Sequence, residues 1–165
     1  MALTRTELIS SLQNEVRILL HLAGKIDRTQ LDYRPSPKQR STIELLRFLS
    51  IMGPGLVRAT VSGGTDTAAW QAAEAAAAGR DFVQTCAVIA TQHDDYAALL
   101  ADLDLRVEIE MFGTRGTRGA FIVNSVLCGH AAYRTQLFLY LKASGHDALN
   151  SMNLWAGTDA PMPAH

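Results

Sequence analysis

Apolar residues recur along this chain at two periods, and the changes of period mark out its elements. Leu8, Leu12, Val16, Leu19, Ala23 and Ile26 stand three or four apart, the spacing of one helix face. Thr4 and Glu7 precede them as a T-x-x-E capping box, which ties up two N–H groups that a helix start leaves unpaired. The first helix is therefore predicted to run to about residue 27. His21 falls opposite the apolar stripe and is expected in solvent. After the turn-rich "DYRPSPKQR", a second box of Ser41 and Glu44 opens a helix through Leu45, Leu46, Phe48, Leu49 and Met52. "GPG" at 53–55 is expected to break or kink it, because Pro54 lacks an N–H and glycine is a poor helix former; a last helical piece runs to about Ser62.

"TDTAAWQAAEAAAAGR" combines high helix propensity with little amphipathic contrast, which predicts a short helix or helical connector. Asp81 caps the next long helix, in which Cys86, Ile89, Ala90, His93, Ala97 and Leu100 form one stripe from Phe82 onward. The period then drops to two. Val107, Ile109 and Met111 alternate with Glu108 and Glu110, as in a short strand. "GTRGTRG" turns the chain into a last helix over about 119–143, closed by Gly145. The tail, residues 146–165, is expected to pack on the helices through Leu154 and Trp155. These elements predict an all-α four-helix bundle with one crossover connection and a short strand or hairpin before the last helix. A single domain over 1–165, with its core at about 5–145, accommodates them.

Composition narrows the function. With 15 basic and 16 acidic residues and a net charge of -1, no field draws the chain to nucleic acid or an anionic membrane. No stretch of 18 apolar residues reads as a span and no leader pattern opens the sequence, so a cytoplasmic protein without membrane partners is expected. Cys86 and Cys128 lie in apolar helical segments without a CxxC, as inert core residues would. There is no serine nucleophile motif. "GTRGTRG" could offer an anion Arg115 or Arg118 at a helix start, but its glycine spacing fits no phosphate loop, and a mobile turn is the preferred reading.

"YRTQLFLYLKASG" resembles the end of the last core helix in the DinB-like (YfiT-like) family of four-helix bundles, and "PSPKQRSTIELLRFLS" is similar to the start of that family's second helix. The resemblance covers roughly residues 5–145. It implies a bundle that often dimerises and, in many members, holds a divalent metal on three histidines. One stands in an "ELLxHL" context and two in an HxxxH ahead of "RxQL". Imidazoles four apart share a helix face and reach one ion. Some members use the site for thiol-dependent transfer or isomerisation. Carried over by position, the three ligands fall on Phe48, Gly129 and Tyr133, while Arg134, Gln136 and Leu137 match the pattern. A hydrocarbon ring, a missing side chain and a neutral phenol make no zinc or nickel site, so no metal and no other cofactor is expected there.

His130 stands one residue from a ligand position, rotated about 100° around the helix. Val126, Tyr133, Leu137 and Leu141 share its side, and His93 is central on its own stripe, so both histidines are expected to face the interior. Two readings follow. Either His93 and His130, with Tyr133 or Cys86, rebuild a metal or acid-base site for a transferase or isomerase, or each is a core histidine satisfied by one hydrogen bond. The second is preferred, because a metal wants three protein ligands. Phe48 and Tyr133 either floor a small apolar pocket or fill the vacated volume, and filling is preferred. Arg134 is expected to find a carboxylate or carbonyl partner. The residues thus favour a homodimeric small-molecule-binding or interaction protein, with a purely structural dimer module as the remaining alternative. The cleft-lining candidates are Phe48, Gly129, His130, Tyr133 and His93.

Overall fold

The structure, a computed structural model, describes residues 3–161; the two ends of the predicted domain lie outside the described residues. Helix α1 (Arg5–Ala23) begins at the box foreseen for it: the Thr4 hydroxyl accepts from the Glu7 N–H, and the Glu7 carboxylate accepts from the Thr4 N–H. A 3-10 turn at Arg28–Gln30 lies in the connector. Helix α2 (Thr42–Ser62) starts at the same kind of box, formed by Ser41 and Glu44. Contrary to the expectation of a break at 53–55, it stays helical to Ser62 with Pro54 inside it. Tertiary contact supplies what local propensity withholds. Gln92 donates from its amide to the Leu49 carbonyl at 2.8 Å, while Gly53 and Gly55 leave room for Tyr96 and Trp70 from facing helices.

Helix α3 (Thr67–Ala78), capped by Asp66, buries only Ala77, which explains its lack of amphipathic contrast. Asp81 and Gln84 box the start of α4 (Phe82–Leu100). Strands β1 (Glu108–Met111) and β2 (Thr114–Thr117) then form an antiparallel hairpin in which Glu108 faces Thr117 and Met111 faces Thr114. Phe112 and Gly113, both at positive φ (54° and 71°), make its two-residue turn, whose twist suits the flanking strands. The last long helix comes in three parts: α5 (Arg118–Phe121), a π-helical stretch (Ile122–Leu127) and α6 (Cys128–Ala143).

Helices α1 and α2 each pack on both α4 and α6 and scarcely touch one another, so consecutive helices sit across the diagonal of the bundle. The core between them is built on Leu8, Leu12, Leu19, Leu46, Leu49 and Leu137. The connector is pinned from below, where Tyr140 donates to the Arg40 carbonyl at 3.0 Å.

The tail packs only in part as its sequence suggests: Leu154 is half-buried, but Trp155 is 72% exposed, and Leu149, Asn153 and Gly157 are the buried residues. Asn153 stands 3.1 Å from His21 Nε2, so His21 is covered by the tail rather than solvated, and that burial lowers its pKa. Among the described residues no helix is long and apolar enough to cross a membrane.

Candidate functional site

Phe48 on α2 and Tyr133 on α6 meet edge to face with ring centroids 5.0 Å apart. Trp70 approaches the Phe48 ring at 6.5 Å, and the Arg40 guanidinium lies 4.0 Å from its centroid. At Gly129, a Cβ would touch Met52 Sδ at 3.4 Å and Cε at 3.5 Å, so the methionine fills the space beside that helix position. Side chains therefore pack where the resemblance places imidazoles, and these residues do not fit a three-histidine metal. Among the described residues no three His, Cys, Asp or Glu side chains gather as ligands.

His130 has a different setting. It is 1% exposed, and its Nε2 lies 2.5 Å from the Tyr96 hydroxyl, with the two rings at 89°. Both crowd Gly53 on α2, where a Cβ would overlap the Tyr96 hydroxyl and come within 2.8 Å of His130 Nε2. Burial, with Arg134 adding to it, lowers the His130 pKa to about 4, and burial raises that of Tyr96. Both groups are thus neutral at pH 7. Tyr96 is the natural donor and Nε2 the acceptor, which leaves the hydrogen on Nδ1. Nδ1 and the Gln92 Oε1 are buried without a partner among the described residues. Such a pair, fully buried, holds three helices in register.

The expectation that His93 also faces the interior fails. His93 is exposed, with its Nδ1 2.9 Å from the Asp94 carboxylate. The buried stripe of α4 is Thr85, Ile89, Gln92, Tyr96 and Leu100, rotated by one residue from the stripe read in the sequence. His93 and His130 are therefore not brought together, and Tyr96, which the sequence reading missed, is the partner of His130.

Arg134, 4% exposed, pairs with Glu15 at 2.7 and 3.2 Å, donates to the Leu154 carbonyl and lies over the Trp155 ring. It ties α6 to α1 and the tail. Gln136 donates to the Tyr140 hydroxyl at 2.6 Å. Cys86 is half-buried, and that burial raises its thiol pKa; Cys128 is exposed, against the expectation of a core residue. Arg115 pairs with Glu108 at 2.6 Å, and Arg118 donates to the Thr60 and Asp104 carbonyls, so the "GTRGTRG" arginines are engaged within the fold.

Beyond the aromatic cluster, α3 and α4 both lie on α2 and leave between them a groove of about 290 Å³ bordered by Arg58, Trp70 and Asp95.

No family model and no curated protein matches this sequence. Among solved structures, a DinB-like protein (YjoA) of Bacillus subtilis is similar, with a TM-score of 0.64 and 20% identity over 84% of this chain and 92% of that one. The helices, the hairpin before the last of them and this likeness together establish a DinB-like fold for the chain.

Proposed function

We propose that this chain is a metal-independent small-molecule-binding protein on a DinB-like scaffold, working as a homodimer. The observation that supports it is the packing of Phe48 on Tyr133 and of Met52 on Gly129, at positions the resemblance assigns to metal ligands. Leu139 and Trp155, 58% and 72% exposed, offer apolar surface that a two-fold partner would cover. A rebuilt transferase or isomerase site has less in its favour, since His93 lies on the outside of α4 and Tyr96 seals His130.

Elemental analysis of the purified protein and calorimetric titration with zinc and nickel test the reading. No stoichiometric metal is expected. One bound ion per chain, lost in His130→Ala, would overturn it. Light scattering at micromolar concentration tests the assembly, and a monomer there would contradict the dimer.

A further inference from the structure

The groove on α2 between α3 and α4 carries a charge pattern that the fold does not use. Its walls are mainly apolar, formed by Ile51 and Pro54 of α2, Trp70 of α3 and Val88 of α4. Trp70 is held there because Gly55 has no side chain: a Cβ at Gly55 would stand 2.9 Å from the indole Cζ3. Three charged side chains line the same groove: Arg58 of α2, Asp95 of α4 and Asp66 at the start of α3. Arg58 is exposed, and its guanidinium has no hydrogen bond or ion pair among the described residues. Asp95 is only partly exposed, and its carboxylate receives no more than a 3.4 Å contact from the Thr91 hydroxyl. The two do not pair with each other. The Asp66 carboxylate, also in the lining, accepts from the Ala69 N–H at 3.0 Å to cap α3.

A ligand with one charge would engage one of Arg58 and Asp95 and leave the other to solvent, whereas a zwitterion engages both at once. The volume, about 290 Å³, is at the lower end for ligand pockets and suits a compact molecule. We propose that this groove binds an α-amino acid with an apolar side chain: Arg58 takes the carboxylate, Asp95 takes the ammonium, and Trp70 with Pro54 covers the side chain. The proposal rests on the reading of the chain as a small-molecule-binding protein and gives that reading a site.

Trp70 supplies the readout. In a Trp155→Phe background it is the one remaining tryptophan of the two in the chain. Titration with L-phenylalanine is expected to change its emission and saturate below about 1 mM. The analogues 2-phenylethylamine, without the carboxylate, and 3-phenylpropanoate, without the ammonium, are expected to bind at least about tenfold more weakly. Arg58→Gln should weaken phenylalanine by a similar factor and leave 2-phenylethylamine unchanged. Asp95→Asn should weaken phenylalanine likewise and leave 3-phenylpropanoate unchanged.

Equal affinity for all three probes, no saturation at millimolar concentration, or phenylalanine binding untouched by both substitutions would overturn the proposal. The probe series on the parent protein decides the matter even if a variant fails to fold. Metal titration remains a separate readout, so a metal-free protein indifferent to phenylalanine defeats this site and leaves the metal-independent part of the reading standing.

Discussion

Tyr96 and Tyr133, which reach α2 from facing helices, use their hydroxyls differently. Tyr96, from α4, is fully buried and gives its hydroxyl to His130, in a space that exists because residue 53 is glycine. Tyr133, from α6, is half-buried; its ring packs on Phe48, and its hydroxyl has no partner among the described residues. A hydrogen bond sealed in a fitted cavity tolerates little change, since losing one partner strands the other in the core. A ring in a half-open aromatic cluster needs only contact. This separates His130, which serves packing, from the three positions the resemblance assigns to metal, which hold a hydrocarbon ring, a glycine and a phenol.

The strongest attempt to break this contrast is to give the aromatic cluster its expected ligands. The triple variant Phe48→His, Gly129→His, Tyr133→His, with Met52 free to swing aside, is expected to bind zinc. At a zinc concentration about a thousandfold above Kd it should gain about 4 kcal/mol of stability, read as a rise in Tm. A triple variant indifferent to zinc would show that the three positions are not geometrically equivalent to a ligand set.

Crowding the sealed pair comes next. Gly53→Leu drives a side chain into Tyr96 and His130 and should cost about 3 kcal/mol in denaturant unfolding. A neutral result would mean that the pair has slack.

Acid acts on the same pair. Unfolded, His130 takes a proton near its ordinary value of 6.5; folded, it does so only at about 4. Its contribution is therefore complete above about pH 6.5 and lost progressively as the pH falls to about 4, a change of roughly 3 kcal/mol. His130→Gln should remove that part of the pH dependence. The acidic caps Glu7 and Glu44, held low by hydrogen bonds with Thr4 and Ser41, are common to both proteins and cancel. Parallel stability curves for the two proteins between those pH values would refute the assignment.

The smallest change gives the sharpest contrast between the two tyrosines. Tyr96→Phe leaves a buried imidazole nitrogen unpaired and should cost about 2 kcal/mol. Tyr133→Phe should stay within about 0.5 kcal/mol of the parent. Equal costs, measured by chemical denaturation, would erase the distinction.

Much of the scaffold was legible in the sequence because its signals are local. The boxes at Thr4 and Ser41, the Asp81 cap and the strand alternation before the last helix each depend on residues a few positions apart. The phase of α4 was not legible, for a physical reason. Thr85, Gln92 and Tyr96 are buried by virtue of partners on other parts of the fold or by local hydrogen bonds, so an apolar stripe cannot reveal them, while alanines at 90 and 97 made a false one. His93 rode on that false stripe. The π-helical stretch at Ile122–Leu127 likewise leaves no mark in hydrophobic spacing. That no histidine stands at the three positions needed only residue identity, whereas the contacts there, Met52 beside Gly129 and Arg40 over Phe48, join residues that are not neighbours in sequence.

The Gly53-Pro54-Gly55 run sets an order of events as the chain is made. Residues 41–52 carry a capping box and good helix formers, whereas 53–55 are helical beneath Tyr96 and Trp70, which come later in the sequence. In a nascent chain ending near residue 62, any helix should therefore be confined to the first half of α2. Its second half closes when α3 and α4 have emerged and docked, so one continuous rod in the finished protein is two pieces to the ribosome.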